Sequence, residues 1–334
     1  MTTIASTIPA NGDENPYAVY VAPFSAGLIR TGDVLVDDFN SVSNEQGTGT
    51  SVLLVAPSGT AKTFAEVPRH LAGCPGGVGL TTAMAMLPDG WVLVGSTPTL
   101  DGTTATAGHG CLVVISATGR LAGTIAGPEI DGPWDMATLD HGSTATLFLT
   151  NTLIDVNGPG QPTVDKGDLV RIVLRVATSS PPIVVSSKVL ASGFPERSDV
   201  ESRLVAGPTG VALEAGTAYV ADPLSNTVVA IPDALTRTVS AGTGKVVSSG
   251  GELHGPLGMA VAPNGDLLLT NALNGDLVEI TLSGHEVAHA VVDPDPAQSP
   301  PGAGDLFGIA IAPGGKGVYF VKDDTNTLAL LRCR

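Results

Sequence analysis

Basic residues are scarce in this chain: 16 Lys and Arg stand against 32 Asp and Glu in 334 residues, a formal net charge of −16. Nucleic acid and anionic membrane surfaces would be repelled over a Debye length of about 8 Å, so neither is an expected partner. No apolar run approaches the roughly 18 residues of a membrane span, and no membrane insertion is expected. The start, MTTIASTIPANGDENP, lacks both the basic and the apolar segments of a secretory signal. Charged residues make up only 14%, and no long stretch carries a helical period, which excludes a helical bundle. Nucleophile chemistry of the familiar kinds is also missing. There is no Gly-x-Ser-x-Gly elbow between strand and helix and no His-Glu-x-x-His, and Gly47-TGTS lacks the Lys and helix of a phosphate loop. The glycine-rich Cys74-PGGVG reads as a tight approach of backbone to its neighbours.

Glycine and proline, by contrast, are plentiful (42 and 25), as many short strands joined by tight turns require. Six versions of one phrase recur: an apolar strand, a Pro/Gly/Asp turn and a second apolar strand. They are Tyr17-AVYVAP with Val34-LVDD, Thr82-AMAMLPDG with Trp91-VLVGS, Trp134-DMATLDHG with Thr146-LFLTN, Thr209-GVALEAG with Thr217-AYVAD, Leu257-GMAVAPNG with Asp266-LLLTN, and Phe307-GIAIAPGG with Gly317-VYFVK. A sheet unit repeated every roughly 50 to 75 residues predicts an all-β propeller. Third strands follow at Ser51, Cys111, Leu169, Thr227, Asp276 and Thr327, and outer ones at Ala61, Leu121, Ile183, Lys245 and Glu286. The sixth unit lacks a fourth strand, while Thr2-TIASTIP precedes the first unit with no blade of its own. The expected fold is therefore one domain, a six-bladed propeller of four antiparallel strands per blade, closed by the N-terminal strand. Its blades cover about 15–67, 78–127, 132–190, 207–249, 255–292 and 305–334 plus 2–9.

Gly207-PTGVALEAGTAYVADPLSNTVVAI resembles the NHL repeat, with units five and six matching in part and units one to three only in their first two strands. The resemblance implies a six-bladed propeller, a fold shared by enzymes, ligand binders and protein-binding scaffolds. It also implies that Asp222 ties its own turn.

In an antiparallel blade the start of the first strand and the end of the second share one end, so these positions ring one mouth of the axial channel. The strand-start ring is Tyr17, Thr82, Trp134, Thr209, Leu257 and Phe307; the strand-end ring is Asp38, Ser96, Asn151, Asp222, Asn271 and Lys322. Aromatic faces in the first ring suit a planar or greasy ligand, or else plug the channel as core. Asp135 replaces the glycine that units four to six carry at its position, and is the preferred single polar site residue. Long stretches after the second strands of units one to three, starting at Asp37, Gly95 and Thr150, together with those starting at Ala191 and Val292, are expected to decorate this mouth as a lid.

Gluconolactonase-like propellers place Glu, Asn, Asn and Asp around a divalent cation near the inner-strand starts, where this chain has mainly Tyr, Thr, Trp, Leu and Phe. That departure weakens the lactonase resemblance. Asp38, Asn151 and Asn271 are the candidate oxygen ligands for Ca2+ or another divalent cation, and no cofactor is otherwise indicated. His70, His109 and His254 share the mouth end without a metal-binding spacing, and His141 lies at the opposite turn. Cys74 and Cys111 should meet at one end of blade two, as a disulfide or as two buried thiols, while Cys333 has no evident partner. A Lys-poor, Ser/Thr/Gly-rich chain with a disulfide points to a periplasmic or secreted monomer whose signal sequence is absent from this chain. Its expected function is binding a small, partly apolar organic molecule at the mouth through Tyr17, Thr82, Trp134, Asp135, Thr209, Leu257, Phe307, Asn151, Asn271 and Ser96. The alternative is a hydrolase or lyase at the same mouth, with Asp38 or Asp135 as general base and Lys322 stabilising negative charge. A protein-binding scaffold would need an apolar rim, and outer strands such as Lys245-VVSSG are polar.

Overall fold

The computed structural model describes residues 1–74, 76–99, 106–156, 160–197 and 207–332. It is a six-bladed β-propeller of four antiparallel strands per blade. Blade one comprises β2 (Glu14–Val21), β3 (Val34–Asn40), β4 (Gln46–Val55) and β5 (Ala61–Glu66); blade two, β6 (Leu80–Met86), β7 (Val92–Thr97), β8 (Cys111–Ile115) and β9 (Leu121–Ile125). Blade three comprises β10 (Pro133–Asp140), β11 (Thr144–Asn151), β12 (Val164–Ala177) and β13 (Ser180–Glu196); blade four, β14 (Val211–Glu214), β15 (Thr217–Asp222), β16 (Thr227–Ile231) and β17 (Lys245–Ser249). Blade five comprises β18 (Pro256–Val261), β19 (Leu267–Asn271), β20 (Asp276–Ile280) and β21 (Glu286–Val291). Blade six joins β22 (Leu306–Ile311), β23 (Gly317–Lys322) and β24 (Thr327–Arg332) to β1 (Thr2–Ser6), which pairs Thr2 with Leu330 and Ser6 with Thr327. Cys333 lies outside the described residues.

Alternating side chains of each blade pack against the next blade, so the apolar interior is divided among the seams. Val52 and Leu54 of blade one meet Met84, Val94 and Val113 of blade two. Leu93 and Leu112 meet Leu147 and Ile172, Phe148 meets Val220 and Val229, and Tyr219 meets Leu269 and Val278. Leu277 meets Phe320 and Ala329, and Val321 and Leu328 with Ala5 close against Val36 and Leu53. Each buried Val, Leu, Ile or Phe adds about 1.5–3 kcal/mol, so every blade depends on both neighbours.

Near the axis the innermost strands approach too closely for side chains at the seams. A Cβ on Gly210 would lie 2.3 Å from the Leu257 carbonyl oxygen of the next blade, and one on Gly308 would lie 2.2 Å from that of Tyr17. Threonine hydroxyls stitch the same seams: Thr150 donates to the Thr209 carbonyl at 2.6 Å and Thr270 to the Phe307 carbonyl at 2.6 Å.

Cys74 and Cys111 form a disulfide, with Cα atoms 5.3 Å apart and a sequence separation of 37. Closing a loop of that length stabilises the fold by about 4 kcal/mol in the chain-entropy description. Of the long connections expected over the mouth, the one starting at Asp37 is mostly strand: β3 and β4 run to Asn40 and from Gln46, leaving a short turn. β12 and β13 extend to 14 and 17 residues and take up parts of those starting at Thr150 and Ala191, whereas the one starting at Val292 is not strand. Residues 100–105, 157–159 and 198–206 of these connections lie outside the described residues. Among the described residues no helix is long and apolar enough to cross a membrane.

Candidate active site at the axial mouth

In five blades the first strand is bulged where it reaches the mouth: the register slips between Pro16 and Val19, Thr81 and Met84, Pro133 and Asp135, Pro256 and Met259, and Leu306 and Ile309. A bulge re-aims the side chains inside it. Tyr17, Thr82, Trp134, Leu257 and Phe307 occupy these bulges, and all five line one cavity of about 230 Å³ at the mouth. Tyr17 stacks on Phe307 with centroids 4.8 Å apart and meets Phe39 and Trp134 edge-on at 5.9 and 5.8 Å. Trp134, 2% exposed, donates its indole N–H to the Tyr17 hydroxyl at 2.6 Å. With Leu153, Leu257 and Ala272 these rings form a closed layer across the axis, so they are both the core of the channel and the floor of the cavity. Replacing Tyr17 by Phe removes the acceptor of a buried indole N–H. The Tyr17→Phe protein should lose about 1–3 kcal/mol in denaturant unfolding, with a changed Trp134 emission, whereas an unaltered midpoint would show that the pair contributes nothing.

The cavity wall is acidic. Asp305 directly precedes β22 and Asp323 directly follows β23, and the Asp323 backbone N–H donates to the Asp305 carbonyl at 2.8 Å, which holds both residues at the mouth end of blade six. Asp305 is 3% exposed; its Oδ1 accepts a long 3.4 Å hydrogen bond from Gln298, and its Oδ2 has no partner. Asp323 Oδ1 is likewise buried without one. Burial, then the charges of Asp324, Asp293 and Asp295, pushes the Asp305 carboxyl up to about 7, against the opposing pull of Lys322. Burial, then Asp305, Asp324 and Glu14, pushes Asp323 up to about 8, with a hydrogen bond from Asn15 opposing. Both therefore hold protons near neutrality and change charge within the working range of acid–base chemistry.

The other residues singled out in the sequence lie elsewhere. Asp135 faces the axial channel beyond the aromatic layer. Its two oxygens accept the Met136 N–H at 2.8 Å and the Val211 N–H of the next blade at 2.9 Å, and burial pushes it up to about 7. In blades four to six the same position is glycine, where the next blade's backbone approaches too closely for a side chain. Asp38 is fully buried with neither oxygen hydrogen-bonded, and burial followed by the charges of Asp37, Asp13 and Asp323 raises it well above the usual carboxylate range. Lys322 Nζ is engaged by Asp293 at 3.0 Å. None of these three lines the cavity. Thr209 spends its hydroxyl on the Leu257 carbonyl at 3.1 Å, and Ser96 accepts the Gly79 N–H at 2.8 Å.

Asn151 and Asn271 do one job in two blades. Each amide oxygen accepts an incoming N–H, from Asp131 and His254 at 3.2 and 3.1 Å, and each amide nitrogen donates to the carbonyl two residues earlier, of Glu129 and Glu252. Asp222 accepts the N–H groups of Leu224 and Ser225, tying its own turn. In blades two, three and five the strand end thus fastens the entry loop. The amides of Asn151 and Asn271 are engaged by their entry loops, while Asp38 lies buried in blade one. His109 contacts Asp131 of the loop entering blade three, and His254 the Glu252 carbonyl of its own loop. Among the described residues, the metal-capable side chains that do come together are Asp293, Asp305 and Asp324, with oxygens within 4.8 Å of one another.

Phe39, Asp305 and Asp323 were missed by the ring reading. Phe39 follows the nominated Asp38 by one position, and strand parity alone sends the two to opposite faces. The acids flank blade six in segments already conspicuous for Asp, Val292-DPDPAQSPPGAGD and Lys322-DDTN.

No protein-family model matches the chain, the NHL repeat included, and no curated protein sequence matches it. Among solved structures it is similar to a gluconolactonase of Xanthomonas campestris, with 12% identity and a TM-score of 0.57 over 96% of this chain and 87% of that one. It is also similar to the calcium-binding protein regucalcin of Agrobacterium tumefaciens, with 13% identity and a TM-score of 0.55 over 100% and 97%. A third is virginiamycin B lyase of Staphylococcus aureus, with 13% identity and a TM-score of 0.51 over 98% and 85%. At these identities the likeness is one of fold: all are propellers, and their activities differ.

Proposed function

We propose that the mouth cavity is the active site of a hydrolase or lyase for a small organic substrate, with Asp305 and Asp323 as its acid–base pair. The observation that carries this reading is a pair of buried carboxyls on one cavity wall, pushed by burial and neighbouring acids up to about 7 and about 8. Between those values one carboxyl is ionised while its neighbour keeps its proton, so a general base and a general acid face the same small space. The aromatic floor excludes water from below and holds the apolar part of the substrate; Asn15, Gln46 and Gln298 supply amides to orient polar groups. A hydrolase would use the ionised carboxyl to take a proton from water, and a lyase would use it to take one from carbon, with the protonated partner donating to the leaving atom. The named activities of the gluconolactonase and the lyase among its structural neighbours agree with this class of chemistry.

Asp293, Asp305 and Asp324 are the residues that would hold a divalent cation, since an all-carboxylate set with an unpartnered Asp305 oxygen suits a hard ion. Such an ion would supply charge neutralisation and polarise a substrate oxygen. The disulfide supports an extracytoplasmic location. Binding without turnover is the second reading, favoured by the closed aromatic floor.

Lactones, esters, glycosides and activated elimination substrates should be assayed between about pH 6 and 9. The expected result is turnover with a bell-shaped pH dependence that falls about 100-fold or more in Asp323→Asn and in Asp305→Asn, at little cost in KM. Turnover unaffected by both substitutions would remove the pair from the chemistry. Saturable binding without turnover would favour the binding reading.

A further inference from the structure

We infer that the molecule entering this cavity carries an organic cation, an ammonium centre lodged between the Tyr17–Phe307 ring stack and the carboxyls of Asp305 and Asp323. The inference rests on the mouth being the functional site, and adds the chemical class of what occupies it. Four aromatic rings and two acids line the cavity, and among the described residues no Lys, Arg or His does. The nearest described ammonium, that of Lys322, is already held by Asp293, whose side chain is 1% exposed. Ring faces attract cations, and a cavity closed to water strengthens that attraction. An anionic substrate would meet two acids with no compensating charge. An apolar substrate without hydrogen-bond donors would leave Asp305 Oδ2 and Asp323 Oδ1 buried and unpartnered, which is costly. The volume of about 230 Å³ lies below the usual drug-sized range of about 300–1,000 Å³ and admits an ammonium group with a short arm. The net charge of −16 steers cations toward the protein.

The acids around this wall outnumber the bases. Asp293, Asp295 and Asp324 face Asp305, with Lys322 as the single opposing charge, and Glu14 and Asp324 face Asp323. Asp38 is close enough to feel Asp323 from blade one. Entry of a cation gives the unpartnered Asp305 Oδ2 and Asp323 Oδ1 a counter-charge.

Calorimetric titration with choline, its neutral carbon isostere dimethylbutanol, the anion pivalate and calcium chloride tests the inference. Expected is one saturable choline site, at least about tenfold tighter than the isostere. Asp323→Asn should lose about tenfold of that affinity, and Asp305→Asn serves if the first variant melts abnormally. Equal or better binding of dimethylbutanol or pivalate would overturn the cation while leaving the site. Calcium binding without choline binding would overturn it in favour of a metal. Binding of no probe, with Trp134 emission unmoved throughout, would remove the mouth as a site altogether.

Discussion

Melting temperatures measured at about pH 5 and about pH 8.5 should differ by around 10 °C, with the acidic sample the more stable. The sign follows from proton counting. Asp37 and Glu196 are pushed up to about 8 by burial, and Asp135 and Asp168 to about 7, with Asp305 and Asp323 behaving alike. In the unfolded chain these groups lose their protons at the ordinary values of 3.8 for Asp and 4.5 for Glu. Between about pH 4 and 8 the native state therefore binds more protons than the unfolded one, and stability falls as pH rises until the folded carboxyls have ionised. Below about pH 4 both states are protonated and the dependence vanishes. Asp37→Asn keeps an oxygen to accept the Ala18 N–H, bonded at 2.7 Å in the native chain, and should flatten part of the slope. Melting temperatures that rise steadily from about pH 5 to 8.5 would mean that these carboxyls ionise freely in the folded protein.

Removing residues 1–6 should lower the melting temperature by about 10 °C or more and make the protein prone to associate, an effect far larger than five terminal strand residues ordinarily have. β1 is the outer strand of blade six, and the Thr7 N–H then bonds the Asn326 carbonyl at 2.9 Å as the chain crosses to blade one. Its loss bares the edge of β24 and uncovers the seam where Ala5 packs with Val36, Leu53 and Leu328. Because each blade is stable only between two neighbours, opening one seam weakens all six. Thermal scans with two spectroscopic probes check this. A truncated protein that melts as the full chain does would show that the ring is not held by this strand.

The sequence made the blades legible because period-two apolar strands, Pro/Gly/Asp turns and small first strands repeat six times. The missing fourth strand of the last unit placed β1. The mouth was legible as a set of positions: Tyr17, Thr82, Trp134, Leu257 and Phe307 do meet around one cavity. The partners of the polar residues were not legible. Asn151 and Asn271 look like ligands in a sequence, yet their amides are consumed by Asp131, Glu129, His254 and Glu252 from entry loops some twenty residues away. Asp135 looks exposed on an inner strand, but a bulge and the absent side chain of Gly210 turn it toward the Val211 N–H. Asp305 and Asp323 lie just outside the repeated phrases, in segments whose course depends on contacts between blades and not on strand period.

The chemistry assigned to the mouth stands on Asp305 and Asp323 holding protons at neutral pH, and carbon-13 NMR of carboxyl-labelled aspartates reads this directly. With resonances assigned from Asp305→Asn and Asp323→Asn, the expected result is a coupled pair titrating near 7 and near 8, shifted downward when a cation enters the cavity. Two carboxyls titrating near the ordinary 3.8, indifferent to any added ligand, would contradict a poised acid–base pair at this site.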